Sequence, residues 1–114
     1  MAHYAFLDEN NVVTEVIVGK DETELIEGLD PETWYGNFRG QRCVRTSYNH
    51  RIRGTYAGIG YSYNEEEDIF VPPQPSASWV RNGSTWQAPT PQPEDGKLYA
   101  WDEETLSWIE LGDL

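Results

Sequence analysis

A chain of 114 residues carrying 20 acidic and 8 basic side chains, net charge -12, fits one domain with a small appendage and a core of modest size. That charge excludes free nucleic acid and anionic membrane as general partners, because a phosphate surface repels such a chain. Only 38% of the residues are hydrophobic, no apolar run nears the roughly 20 residues of a membrane helix, and the single cysteine, Cys43, excludes an internal disulfide.

The start of the chain has no basic region followed by an apolar run, so the expectation is a soluble protein made in the cytoplasm. Apolar supply is thin, with a mean hydropathy of -0.69, and aromatics provide much of it: five Trp and seven Tyr. Such side chains remove a large area from water while keeping a polar handle, a composition typical of protein–protein contacts.

In chain order, residues 4–18 read as a hairpin: Y-A-F-L, the turn D-E-N-N, then V-V-T-E-V-I-V with alternation and β-branched enrichment. Residues 20–28 (K-D-E-T-E-L-I-E-G) change to acidic helix formers and predict a short helix capped by Asp21 and stopped by Gly28. Asp30-Pro31-Glu32 is a second start signal, and that helix would carry Trp34, Tyr35 and Phe38 before Gly40. Helices this short need a sheet to pack on. Residues 41–48 alternate as a strand, and the more apolar set, Val44, Thr46 and Tyr48, is expected to face the interior. A glycine-punctuated loop then runs to Gly60.

From Tyr61 onward one pattern occurs three times: an aromatic, six residues rich in turn formers, and another aromatic, at Tyr63 and Phe70, Trp79 and Trp86, and Trp101 and Trp108. Asn, Asp, Gly and Ser supply the backbone that reverses a chain between strands, so each unit predicts a β-hairpin. Phe6 and Val13 share the spacing and suggest a distant fourth copy. Proline after the first two copies ends strand pairing, and the alternating prolines 89, 91 and 93 make a stiff spacer. The expected fold is mainly β and hairpin-rich, with an N-terminal α+β portion, residues 1–60, and a C-terminal hairpin portion, residues 61–114.

The sequence carries no catalytic constellation, and the expectation is a protein that is not an enzyme and needs no cofactor. His3, Cys43 and His50 are isolated and do not predict a metal site. Glu65-Glu66-Glu67-Asp68 lacks the spaced ligands of a calcium loop. The serines lack a nucleophile elbow, and G-T-Y-A-G-I-G lacks the lysine and following helix of a phosphate loop. Arg39, Arg42, Arg45, Arg51 and Arg53 fall with His50 in a stretch without acids. Such a strip either neutralises neighbouring acids or docks an acidic partner. The tryptophans of the hairpins either pair across their own strands or, exposed, stack on sugar rings as in a carbohydrate-binding module.

Four segments together, A-H-Y-A-F-L-D-E-N-N-V-V-T-E-V-I-V, T-S-Y-N, Y-A-G-I-G-Y-S-Y-N-E-E-E-D-I-F-V-P-P-Q-P and P-E-D-G-K-L-Y-A-W-D-E-E-T-L-S-W-I-E-L, resemble a family of small proteins encoded by marine bacteriophages, especially those of cyanobacteria. The resemblance implies a virion structural protein and carries over no catalytic motif. The expected role is capsid decoration or cement, or a tail or neck accessory, through contacts with other phage structural proteins or further copies of itself. Expected contact residues are Trp79, Trp86, Trp101 and Trp108, with at least one buried against a partner or another domain, and Tyr61 and Tyr63; Arg45, Arg51 and Arg53 would steer and orient. The alternatives are the carbohydrate-binding attachment module and an acidic protein that occupies a nucleic-acid site on a host enzyme.

Overall fold

The structure, a computed structural model, describes residues 2–112. The protein is mainly β, built of antiparallel sheets and one short helix. It forms two compact units, the first ending at Pro73 and the second beginning at Gln74.

In the first unit, strands β1 (Ala2–Leu7), β2 (Val13–Gly19) and β3 (Arg42–Thr46) form a sheet in the order β2-β1-β3. The central strand is apolar at both parities of its alternation because both faces of the sheet are covered. On one face Ala2, Tyr4, Phe6 and Cys43 form a buried cluster with Ile17 and Tyr35. On the other, Ala5, Leu7, Val13 and Val44 pack with Ala57, Tyr63 and Phe70. The turn between β1 and β2 is closed by Asp8, whose Oδ1 accepts the amides of Asn10 and Val12 at 2.8 and 3.0 Å, the Asx chemistry that its sequence predicts.

Helix α1 (Pro31–Arg39) begins and ends at its sequence signals. The Asp30 carboxylate accepts the Thr33 amide at 3.1 Å, Pro31 occupies the first turn, and Gly40 closes the helix at φ 69°. Tyr35 lies on Tyr4 with ring centroids 5.1 Å apart. The helix comes so near the sheet that a Cβ at Gly19 would sit 2.8 Å from the Tyr35 ring.

The helix expected at residues 20–28 does not form. Asp21 instead accepts the Thr23 amide and hydroxyl at 3.0 and 2.7 Å. Ile26 and Leu29 then exchange backbone hydrogen bonds across Glu27 and Gly28, both at positive φ, the geometry of a type I′ turn. A nine-residue helix needs an apolar stripe to bury, and here Leu25 stays 69% exposed.

Strand β3 also departs from expectation. Val44 and Thr46 are buried as predicted, but Tyr48 lies beyond the strand and is 66% exposed, while Cys43, on the opposite parity, is buried under the helix. The cause is the second covering layer, which makes both faces of β3 interior.

Three hairpins follow, β4 (Ser62–Asn64) with β5 (Ile69–Val71), β6 (Val80–Asn82) with β7 (Thr85–Gln87), and β8 (Leu98–Asp102) with β9 (Ser107–Gly112). The first belongs to the first unit, so the division falls after Pro73 rather than at residue 60. Val13 N donates to Tyr61 O at 2.7 Å and Tyr63 N to Asn11 O at 2.8 Å, joining this hairpin to the turn before β2, while Tyr63, Phe70 and Val71 are buried.

The sevenfold spacing has two structural outcomes. Tyr63 faces Phe70, and Trp101 faces Trp108, across four-residue loops whose last residues, Asp68 and Leu106, are left-handed at φ 54° and 52°. In the middle copy the loop is only Gly83-Ser84, Arg81 faces Trp86, and Trp79 lies before the strand. Residues Phe6 and Val13 are not a fourth copy, since their partners are Glu15 and Leu7.

Candidate functional site

The arginine strip is largely consumed within the first unit. Arg39 pairs with Glu15, Arg42 with Glu65 at 2.6 Å and Arg45 with Glu22 at 3.5 Å. Arg53 is a structural hub: its Nε donates to Asp68 at 2.8 Å, one terminal nitrogen donates to the Arg45 carbonyl at 2.8 Å, and Glu32 lies 3.8 Å away. Its side chain is only 21% exposed. Tyr63 is likewise buried, with its hydroxyl on Asp68 and its ring on Phe70, and Tyr61 is half-buried against the same core. Arg51 is exposed and keeps the outward position expected for all three arginines. The Tyr63 and Arg53 hydrogen bonds hold the Asp68 carboxyl below its ordinary range.

In the second unit the tryptophans act as a group. Trp101 and Trp108 meet with centroids 5.1 Å apart, and Trp79, from outside its own hairpin, packs edge-on against them at 5.9 and 6.1 Å. Aromatic edges carry positive charge and faces negative charge, so near-perpendicular contacts suit all three rings. Glu103 fastens the arrangement: its carboxylate accepts the Trp101 indole N–H at 2.8 Å, the Ser78 amide at 2.9 Å and the Ser78 hydroxyl at 2.7 Å. The Trp101 and Ser78 donors lower the Glu103 pKa. Trp108 donates to the carbonyl of Thr90, between Pro89 and Pro91, at 2.7 Å.

Two surfaces result. The first is a groove of 380 Å³ lined by Trp79, Trp108, Gln87, Gln92, Thr90 and Pro91, among which no side chain is charged. The cavities of the first unit, by contrast, are lined by carboxylates and arginines together. The second is the reverse side of the third hairpin. Strand alternation puts Trp101 and Trp108 on one side and the opposed pair Ala100 and Ile109 on the other. Ile109 is 47% exposed, and Leu98 and Leu111 beside it are exposed as well.

Comparison with protein-family models, curated proteins and solved structures finds no match. Among the described residues no group of three or more His, Cys, Asp or Glu is placed to hold a metal ion, and no helix is long and apolar enough to cross a membrane. Burial, reinforced by the charges of Glu32 and Asp30, pushes the Cys43 thiol up to about 12, which removes it as a thiolate nucleophile near neutrality.

Sequence reading singled out Trp79, Trp86, Trp101 and Trp108, and the structure gathers three of them while Trp86 stays half-buried opposite Arg81. It overlooked Gln87, Gln92 and Ile109. For Ile109 the signal was present, because W-I-E-L places apolar residues at both parities of a strand. For the glutamines none was, since a surface carboxamide looks the same in any loop.

Proposed function

We propose that the chain is a structural protein of a bacteriophage particle that works by protein–protein contact, as a decoration or cement protein of the capsid or as an accessory of the tail or neck. The observation that carries this reading is the third hairpin, apolar on both sides and covered on one. A two-stranded hairpin is marginal in water, and an added layer on its apolar face is the usual remedy. The resemblance to marine phage proteins supplies the particle as the context, and the occupant proposed for the face is another structural protein of that particle. Arg51, exposed on the first unit, contributes electrostatic steering, which affects encounter more than persistence.

The test is retention on purified particles, read by mass spectrometry after washing at low and high salt. Ile109→Asp, which puts a charge into the apolar contact, is expected to release the protein at both salt concentrations. Arg51→Ala should slow association at low salt and leave retention intact, since exposed charges are screened within about 8–10 Å at ordinary ionic strength. Absence of the wild-type chain from particles, or full retention of Ile109→Asp, contradicts the proposal. Self-association through the same face, detected by sedimentation of the free chain and abolished by Ile109→Asp, would replace the particle protein by a second copy as the occupant.

A further inference from the structure

We infer that the groove between Trp79 and Trp108 is a binding site for a neutral saccharide, an activity separate from docking and resting on a different part of the second unit. Three features choose the ligand. The groove is uncharged in a chain where 25% of residues are charged, so it offers nothing to neutralise an ion, and the net charge of -12 opposes an anionic ligand. Its two indoles, 6.1 Å apart with planes inclined at 68°, form an aromatic corner that suits a ring with apolar C–H faces. Around them Gln87 and Gln92 supply carboxamides, each able both to donate and to accept, as a sugar hydroxyl does.

A purely aliphatic ligand fits less well, because it would desolvate both carboxamides without replacing their hydrogen bonds. A proline-rich peptide is the other molecule that aromatic grooves accept, through an indole donor to a carbonyl of an extended segment. Here neither indole offers that donor: Trp108 Nε1 holds the chain's own Thr90 carbonyl at 2.7 Å, within Pro89-Thr90-Pro91, and Trp79 Nε1 is withdrawn from the surface. What remains open is the pair of ring surfaces and the carboxamides, and these match a sugar. The volume of 380 Å³ is at the small end of ligand sites, which span about 300–1,000 Å³.

The experiment is a titration of the full chain with maltose, cellobiose, lactose and N,N′-diacetylchitobiose, followed through the indole and carboxamide N–H signals in nitrogen–proton correlation spectra. At least one disaccharide is expected to bind with a dissociation constant of about 1 mM, moving the Trp79, Trp108, Gln87 and Gln92 signals and leaving Trp86 unmoved. Because Trp108→Ala removes a ring that holds the hairpins together, the deciding variant is Gln87→Ala with Gln92→Ala. It should keep the indole spectrum of the free chain and weaken binding about tenfold or more. No response to any sugar up to about 50 mM, a response unchanged in the double variant, or a response to a polyproline peptide alone would overturn the inference.

Discussion

Arg53 shows how a residue that reads as a surface charge becomes part of a framework. Its guanidinium meets Asp68, Glu32 and the Arg45 carbonyl and so ties the loop before β4 to β3, to the hairpin loop and to the start of the helix. Removing this guanidinium, only 21% exposed although Asp68 is 59% exposed, costs about 1–2 kcal/mol, as the part-buried Arg45 carbonyl and the Asp68 carboxylate lose their hydrogen bonds. Arg53→Met is expected to lower the stability of the first unit by about that amount in urea titrations followed by β1 amide signals, whereas Arg51→Ala, at an exposed position, stays within about 0.5 kcal/mol. Equal effects of the two substitutions would contradict the assignment. Cys43 makes the second residue-scale case. Its thiol pKa is raised by burial, so the neutral thiol stabilises the fold fully below the ordinary thiol range, and that contribution is lost as pH rises from there toward about 12. Alkylation by iodoacetamide at pH 8 should therefore proceed only through unfolding, accelerating with urea in step with the unfolded fraction. Rapid alkylation of the folded chain would show that the helix does not seal the thiol.

At the scale of elements, what was legible in the sequence was what local chemistry decides. Asp30-Pro31 with Gly40, the Asx turn at Asp8 and the alternation of β1 to β3 each act within a few residues, and each element stands where its signal lies. Where tertiary covering decides, the reading fell short. The acids of residues 20–28 have helix propensity but no apolar stripe, and β3 has two interior faces because a hairpin distant in sequence covers one of them. The repeat spacing found all three hairpins but did not distinguish loops of four residues from a loop of two, and only the four-residue loops place the aromatics opposite each other. Leu106 carries a testable consequence. A leucine at φ 52° is held in a conformation that costs about 1 kcal/mol for a side chain with a Cβ, and it is exposed. Leu106→Gly should stabilise the third hairpin by up to about 0.5 kcal/mol, which is what remains of that cost after about 0.5–1 kcal/mol for the entropy of glycine is deducted, read as slower amide exchange in β8 and β9. Faster exchange would mean that Leu106 contributes packing greater than its backbone strain.

For the whole molecule, the contrast lies in how the two units are held. Every fully buried side chain among the described residues occurs at or before Val71. The first unit has two clusters around a central strand, whereas the second has three mutually packed indoles, the Glu103 clasp and an uncovered apolar side on its last hairpin. Regions with few buried contacts open at low free-energy cost, and a ligand or partner that binds only the closed form stabilises them in proportion to its affinity. The central claim is that the second unit completes its stability on another protein. The most direct measurement is amide hydrogen exchange of residues 74–112, made on the free chain and on the chain bound to purified particles. The expected result is weak protection in the free chain, with residues 2–73 protected throughout, and strong protection of β8 and β9 on the particle. Full protection of residues 74–112 in the free monomer, unchanged by the particle, would contradict it.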